Sequence, residues 1–398
     1  MDIKNIIIMT ILPIGQRDFD RFGIGYFISQ DIKVTVLNIR EIIYKNIPVN
    51  YEIEKIENGF KYIEINTLNN FDKELKSHNP ENTIIICFFG FGANSLNIYK
   101  ILSKYNIKFG AIYAGAVPVI AYASNESFIN KLARLRKSYS AYTLFKKVLN
   151  KIYTKATLRF KKNKIREYAF VVVGGKVGNS MKQNTSSKTK IIKAHALDRE
   201  FILNDKNIED ISSKYIVYLD EYLPYHSDFA LVGENHIKIA DIYYKKMNIF
   251  LDYLSKRYDK EVVICAHPRS EYHKHKVWND KKIVLFETYN YVKQSFICLT
   301  HASTSTNFAV ILNKPISFLY LKEIEFYKFP IDSVAHSLGK NIVDIDLSKS
   351  ELDKIDFVNV NQTKYQKYIE DYITENTEDK RNFWENVLQE LEKEIFKI

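Results

Sequence analysis

The chain has 398 residues, of which 46% are hydrophobic and 26% are charged, an ordinary globular composition. This length exceeds one ordinary core and predicts two α/β domains of roughly 150–200 residues each. No run reaches the ~18 apolar residues that would cross a membrane. The apolar run 6–12 ends at Pro13, and we expect a core strand there and no signal peptide.

Strand and helix signals alternate through the first half. Strands are expected at 3–11, 33–39, 83–89 and 108–113, with a further candidate at 62–65. Helices are expected at 17–30 and from a glycine-rich turn at 90–95 to about residue 105. Strand, turn, helix and strand in this order predict a parallel sheet with right-handed crossovers.

A strongly basic segment follows. Residues 131–166 contain thirteen Lys or Arg and no Asp or Glu, within a net charge of +11. Interleaved apolar residues predict one or two amphipathic helices. Three interpretations fit this segment. It could bind an anionic lipid surface, which attracts each cation by about 1 kcal/mol, it could bind a polyanionic ligand, or it could be a solvated helix face with a few phosphate contacts. Nucleic acid is not expected, because no reader motif accompanies the segment.

Lipid contact at the inner membrane is the interpretation we carry forward, with Arg134, Arg136, Lys146 and Lys147 as the contacting residues. The three cysteines, Cys87, Cys265 and Cys298, all lie in apolar strand-like runs. They are expected to be buried free thiols of a cytoplasmic protein.

Strand signals resume after the basic segment. They occur at 169–173, 190–195, 215–219, 261–265, 283–286, 296–299 and 316–320, with helices at 237–257 and 304–312. We therefore predict a first Rossmann-like domain at 1–168, a second at 169–361, and helices at 362–398 that pack back on the domains. Ligands of such sheets bind beyond the carboxyl ends of the strands, so the turns there should carry the chemistry.

The clearest of these turns is His267-Pro268-Arg269, directly after a buried strand. Proline holds the preceding residue extended, and a donor or protonated imidazole can bond a phosphate oxygen or a leaving group. A histidine that only caps the strand is the alternative.

A second turn has hydroxyl residues, including Ser303, Thr304 and Ser305, at the start of an apolar helix. Hydroxyls at this position cap the helix, and the same geometry favours a phosphate. Either role fits the pattern.

Two adjacent carboxylates, Asp220 and Glu221, follow another strand. A carboxylate there is well placed as a general base for a hydroxyl group, although a turn cap is the alternative. We favour Asp220 as the base, and His195, at the end of a further strand, is a weaker candidate.

Glycine-rich turns in the first half, at Gly15 and around Gly92 and Asn94, match neither a dinucleotide fingerprint nor a Walker loop. We interpret them as close-approach turns for an acceptor.

The combination of Asp220-Glu221, His267-Pro268 and Ser303-Thr304-Ser305 resembles bacterial sialyltransferases and related nonulosonate transferases. The resemblance covers residues 190–321, and the first half only in general layout. It implies the GT-B fold, an α/β architecture of two doubly wound Rossmann-like domains, here with a C-terminal helical tail. It also implies a CMP-sugar donor, with an acidic residue deprotonating the acceptor. The His-Pro histidine and the Ser/Thr turn would hold the CMP phosphate, so the nucleotide-binding residues would be His267, Pro268, Arg269, Ser303, Thr304 and Ser305.

The expected function is inverting transfer of an acidic nonulosonate to a hydroxyl of a bacterial surface glycan, such as lipopolysaccharide or capsule. No cofactor and no metal ion are expected, because no Asp-x-Asp metal motif of the other glycosyltransferase architecture is evident. Three alternatives stay open: a retaining Kdo-type transferase, a UDP-sugar transferase or epimerase of the same fold, and a non-enzymatic scaffold that binds membranes or polyanions.

Overall fold

The computed structural model describes residues 2–11, 13–45, 59–115, 165–178, 184–206, 213–226 and 235–396, together with Pro118 and Phe229. Over these residues the chain forms two separate sheets whose strands are all parallel. The central strands are almost continuously apolar and buried, as in parallel sheets covered by helices on both faces, whereas the strands at the sheet edges are partly exposed.

The first sheet has seven strands in the order β3-β2-β1-β4-β5-β6-β7. They are β1 (Asn5–Thr10), β2 (Lys33–Asn38), β3 (Lys61–Glu64), β4 (Thr83–Cys87), β5 (Lys108–Tyr113), β6 (Phe170–Gly174) and β7 (Lys190–Ala194). The helices between them are α1 (Gln16–Arg21), α2 (Ile24–Ser29), α3 (Arg40–Ile43), α4 (Leu68–Lys76), α5 (Leu96–Leu102) and α6 (Gly175–Gly178). Helix α7 (Arg199–Leu203) follows β7.

The second sheet has six strands in the order β10-β9-β8-β11-β12-β13. They are β8 (Tyr215–Leu219), β9 (Glu261–Cys265), β10 (Lys282–Val284), β11 (Ser295–Thr300), β12 (Ile316–Tyr320) and β13 (Ile342–Asp344). The helices are α8 (Ala240–Tyr258), α9 (Thr288–Lys293), α10 (Thr306–Ile311), α11 (Lys328–Ser337), α12 (Lys349–Leu352), α13 (Gln362–Tyr368) and α14 (Phe383–Leu391).

The boundary between the sheets lies later than predicted. Strands β6 and β7 pair with β5 and with each other, so both belong to the first sheet and not to the second. The division at residues 168 and 169 is therefore wrong, and the chain passes between the sheets after β7. The long basic stretch between β5 and β6 suggested a domain boundary, and an apolar strand pattern does not indicate which sheet a strand joins.

The C-terminal tail divides between the two domains. Tyr365 and Tyr368 of α13 lie in the core of the second domain. In contrast, Trp384 of α14 lies in a core cluster of the first domain. Its indole nitrogen donates to the carbonyl of Arg21 at 3.1 Å. The ring lies against Gly23, which has a φ of 68° and where a Cβ would come within 2.4 Å of Trp384. This glycine also divides the helix expected at 17–30 into α1 and α2.

The segment after β7 holds the tail where it crosses between the domains. His195 is buried, and its Nε2 lies 3.1 Å from a carboxylate oxygen of Glu200. Arg199 donates to the backbone carbonyls of Asn376 and Thr377, at 3.3 and 2.7 Å. His195 also forms an isolated antiparallel bridge with Thr374. The contacts of His195 are those of a structural residue at the crossing, which removes the reason to consider it catalytic.

The predicted membrane segment lies almost entirely outside the described residues. Arg134, Arg136, Lys146 and Lys147 are among the residues that are not described. At the end of the segment, Arg166 donates to the backbone carbonyls of Leu102 and Ile107, at 3.2 and 2.6 Å, so this cation stabilises the first domain. In the described part of the chain, no helix combines the length and apolar character needed to span a bilayer.

Candidate functional site

Both sheets have a point where the strand order reverses, and such points open a crevice at the carboxyl ends of the strands. In the first sheet the reversal lies between β1 and β4, and in the second between β8 and β11. The predicted carboxylates follow β8, the Ser303–Ser305 turn follows β11, and His267 follows β9. The three predicted turns thus lie on neighbouring strands around the second reversal point, as expected.

Asp220 ties the end of β8 to the turn after β9. Its side chain is inaccessible, with 4% of the residue exposed. One carboxylate oxygen accepts from the backbone N–H of Tyr222 at 3.0 Å and the other from the hydroxyl of Tyr272 at 2.6 Å. The backbone N–H of His267 also hydrogen-bonds this carboxylate. Asp220 therefore fixes the position of the His-Pro turn.

Glu221 points the other way and ties β8 to the turns after β11 and β12. The residue is 8% exposed. Its oxygens accept from the backbone N–H of Ala302 at 2.6 Å and from the hydroxyl of Tyr327 at 2.7 Å. Successive side chains at a strand end point to opposite sides, so the two carboxylates serve different turns. Glu221 spans the reversal point itself.

Burial raises the pKa of the Asp220 carboxyl from 3.8 to about 6 and that of Glu221 from 4.5 to about 7. The hydrogen-bond donors around each carboxylate favour its charged form and limit both rises, while the negative charge of Asp220 adds to the rise of Glu221. A carboxyl that titrates close to neutrality suits proton transfer at physiological pH.

His267 is half-buried and has a defined role as a donor. The backbone N–H of Arg269 donates to its Nδ1 at 3.2 Å, so the neutral ring carries its hydrogen on Nε2. The N–H of Ser270 donates to the His267 carbonyl at 2.8 Å, which closes a tight turn with Pro268 at its second position. The imidazole can therefore donate to an anionic oxygen without being protonated.

The Ser303–Ser305 turn is partly occupied by its own hydrogen bonds. The N–H of Ser303 donates to Thr300 Oγ1 and that of Ser305 to Ser303 Oγ, each at 3.2 Å. Thr304 is exposed, and Ser305 precedes α10 without a side-chain capping bond. The helix begins at Thr306, whose buried Oγ1 has no hydrogen-bond partner among the described residues. Thr306 is a polar group at this turn that the sequence did not single out.

His301 supports this turn from beneath and was also missed. It is completely buried, and burial lowers its pKa to about 4. The neutral ring donates from Nδ1 to the Leu319 carbonyl at 2.7 Å and accepts from the hydroxyl of Tyr243 at 2.8 Å. The Tyr243 hydroxyl is in turn 2.8 Å from that of Tyr218. The chain of bonds connects β12, β11, α8 and β8 below the site.

A chain of aromatic rings begins beside His267. The ring centroid of His226 lies 4.8 Å from that of His267, at 62°. Phe229 follows at 6.0 Å from His226, and a stacked pair, His236 and Phe326, lies next to Phe229. The Tyr and His residues after β8 indicated an aromatic cluster in the sequence. Phe326 joins this cluster from the turn after β12, which the sequence did not indicate.

The glycine turns of the first domain flank its own reversal point. Gly15 follows β1, and its N–H donates to Asp18 at 3.3 Å. Gly92 follows β4, and its N–H donates to Ser95 Oγ at 3.0 Å. A Cβ built on Gly92 meets no atom within 4 Å, and the neighbouring Asn94 is exposed. The turn at Gly92 therefore leaves room for a ligand to approach the backbone.

A side-chain hydrogen bond links the segment after β7 in the first domain to the start of α10 in the second. Asp198 lies just after β7, and it accepts from the side-chain amide of Asn307, in the first turn after β11, at 2.8 Å. The amide oxygen of Asn307 accepts from the hydroxyl of Tyr368 at 3.0 Å. These hydrogen bonds connect the two domains through the segment after β7, α10 and α13.

Two Asp-x-Asp tripeptides occur outside the predicted turns, at 18–20 and 344–346. Asp18 bonds the Gly15 N–H, and Asp346 forms an ion pair with Lys246 at 2.7 Å. Within the described ranges, no group of three or more His, Cys, Asp or Glu residues has a geometry that could hold a metal ion.

Comparison with known proteins identifies the fold. No family model and no curated protein matches the sequence. Among solved structures, CalG4, the calicheamicin glycosyltransferase, is similar over the whole of both chains, with a TM-score of 0.51 and 8% identity. A variant of the wall teichoic acid polymerase TagF, solved with CDPG, is similar over 99% of this chain and 90% of its own, with a TM-score of 0.51 and 11% identity.

MurG from Acinetobacter baumannii is similar over 98% of this chain and 99% of its own, with a TM-score of 0.46 and 11% identity. The two parallel-sheet domains have the GT-B fold, which confirms the fold class expected from the sequence.

Proposed function

We propose that this protein is a glycosyltransferase that moves an acidic nonulosonate sugar from a CMP donor to a hydroxyl of a bacterial surface glycan. The observation that supports it most is the convergence of three polar turns on β9, β8 and β11 around the reversal point of the second sheet. Each turn brings groups suited to a nucleotide-linked sugar: the Nε2 donor of His267, the hydroxyls after β11, and two carboxylates that titrate near neutrality.

The donor phosphate would lie between the turns after β9 and β11. His267 would donate from Nε2 to a phosphate oxygen, and Arg269 would add positive charge. Ser303, Thr304 and Ser305 would contribute hydroxyl and backbone N–H groups. Asp220 and Glu221 support this arrangement, because each fixes one of the two turns from the strand between them.

In the chemical step, the acceptor hydroxyl oxygen would form a bond to the anomeric carbon as the bond from that carbon to the phosphate oxygen breaks. CMP would leave with the bonding electron pair, stabilised by the His267 donor, and the configuration would invert. Asp220 would take the acceptor proton, which its pKa of about 6 permits at neutral pH. Since its carboxylate already accepts four hydrogen bonds, from the Tyr272 hydroxyl and the backbone N–H groups of Tyr222, His267 and Glu221, one donor would have to yield to the acceptor hydroxyl.

The acceptor would enter from the first domain, over the open turns at Gly15, Gly92 and Asn94. The enzyme would act in the cytoplasm at the inner membrane, held by the basic segment 131–166, where lipid-linked acceptors are found. No metal ion is needed in this scheme, because the phosphate charge is met by side chains and backbone N–H groups.

The test is nucleotide binding combined with donor turnover. CMP is expected to bind in the micromolar-to-millimolar range and more tightly than UDP or GDP in calorimetry. CMP-, UDP- and GDP-sugars are then compared for hydrolysis and transfer. A clear preference for UDP would refute the CMP assignment in favour of a UDP-sugar transferase or epimerase. Absence of binding and turnover with every donor would favour the scaffold.

A further inference from the structure

Arg40 is a buried cation at the carboxyl edge of the first sheet. It follows β2 by two residues, and only 9% of its side chain is exposed. The backbone N–H of Arg40 donates to the side chain of Asn38 at 3.1 Å, and Asn38 in turn donates to the hydroxyl of Tyr62 at 3.0 Å. The position of the residue is thus fixed by hydrogen bonds at the end of the strand.

The guanidinium itself is poorly satisfied. Nη1 donates to Glu41 at 3.0 Å, but the side chain of Glu41 is 44% exposed. Nε is buried and has no hydrogen-bond partner in the described part of the chain. An exposed ion pair contributes little to stability, whereas a buried charge that lacks partners is strongly destabilising.

Two other arginines show how this chain satisfies a shielded guanidinium. Arg257 donates to the hydroxyl of Tyr253 and to three backbone carbonyls, at 2.8 to 3.2 Å. Arg199 donates to two backbone carbonyls at the domain crossing. Neither relies on an exposed carboxylate, so Arg40 differs from both in keeping donor capacity for another group.

The location of Arg40 connects it with the acceptor turns. The ends of β1 and β2 are aligned, with Thr10 opposite Asn38, and adjacent strands lie about 4.8 Å apart. Arg40 therefore lies one strand away from the turn that begins at Gly15, on the same edge as Gly92. Asn38 and Thr10 are further buried polar residues at this edge.

We propose that Arg40 forms an anion-recognising site that binds a carboxylate or phosphate group of the acceptor. An oxyanion would supply acceptor oxygens to the guanidinium fork, the geometry for which arginine is best suited. The inference rests on the proposed function, because it assigns the acceptor to the first domain, and it defines the acceptor as an acidic glycan.

The experiment measures binding of three probes by calorimetry in the full chain: an oligosaccharide with a terminal sialic acid, the same oligosaccharide with a terminal phosphate, and the neutral parent. Arg40→Gln should weaken binding of an anionic probe at least tenfold and leave the neutral parent unchanged. Arg40→Lys keeps the positive charge but lacks the guanidinium fork, so its affinity for the anionic probes should lie between those of wild type and Arg40→Gln. Glu41→Gln is the matched control, and it should retain or strengthen anion binding because it removes a competing carboxylate.

The two anionic probes show which group is recognised, and tight binding of either supports the site. Equal weakening of the neutral and anionic probes in Arg40→Gln would overturn the proposal, as would unchanged binding of both anions. If Arg40→Gln does not fold, Arg40→Lys and Glu41→Gln decide the question. CMP binding and sugar transfer are measured in parallel. Because binding of the acidic probe requires no donor, failure of the proposed activity can be distinguished from failure of the Arg40 site.

Discussion

Replacing Asp220 with Asn removes a titrating group from the interior while keeping its shape. Burial raises the pKa of this carboxyl from 3.8 to about 6, so the folded protein holds the proton more tightly than the unfolded chain. Its contribution to stability is therefore complete below about pH 4 and is lost as the pH rises through about 6. At about 1.36 kcal/mol for each pH unit, the full loss is about 3 kcal/mol, of which about 2 kcal/mol falls between pH 4 and 8.

The expected result is a difference in slope. Urea unfolding of wild type and Asp220→Asn is followed by circular dichroism at pH 4, 6 and 8. The stability of the variant relative to wild type should increase by about 2 kcal/mol between the lowest and the highest pH. The absolute offset depends on whether the Asn amide can accept from Tyr222 and donate to Tyr272. A relative stability that does not change with pH would refute the reasoning, since it would mean that Asp220 is hydrated.

The same variant tests the assignment of the base. If Asp220 takes the acceptor proton, the transfer rate of wild type should rise with pH through an apparent pKa near 6. Asp220→Asn should lower transfer by roughly 10²-fold, abolish that rise and keep CMP affinity. Glu221→Gln should cost less. The reverse order would assign the base to Glu221, and two active variants would place it elsewhere, leaving both carboxylates as supports of the turns.

Three further predictions follow from the same site and its surroundings. His267→Ala should lower turnover by about 10²-fold or more, the scale for losing a positioned donor, and near-normal turnover would make this histidine structural. Gly92→Val should weaken acceptor binding without changing the unfolding temperature, because a Cβ at Gly92 meets no protein atom; an equal change in thermal stability would contradict an open turn. Charge reversal of Arg134, Arg136, Lys146 and Lys147 should prevent co-sedimentation with anionic liposomes at low salt, where the electrostatic attraction is strongest. Equal co-sedimentation of wild type and the charge-reversed variant would count against the membrane interpretation.

Local patterns in the sequence predicted most of the architecture. Apolar runs located nearly all the strands, and the polar residues that end them predicted that Asp220, His267 and Ser303 meet at one sheet edge. This prediction needed only the rule that parallel strands share their carboxyl edge. Which sheet a strand joins was not predictable in the same way, because β6 and β7 have the same apolar character as the strands of the second domain.

Long-range contacts account for what the sequence did not indicate. The burial of His301 depends on Tyr243 and Leu319, neither of which is close to it in sequence. The donor state of His267 depends on the backbone of Arg269 within its turn. Arg40 is followed by Glu41 in the sequence, between Ile39 and Ile42, and the unsatisfied state of its buried guanidinium becomes visible only in the folded structure.

The division of the tail has a consequence for how the chain matures during synthesis. The first domain closes one of its core clusters with Trp384, Val387 and Leu391, which are translated long after the strands of that domain. At about 5–20 residues per second, roughly 10 s or more separates the completion of β7 from the arrival of α14. In that interval the surface around Gly23 and Phe27, against which Trp384 packs, is an apolar surface exposed to solvent. The first domain is thus completed only after the strands of the second domain have been made, and a chain cut after β7 would retain this exposed surface permanently.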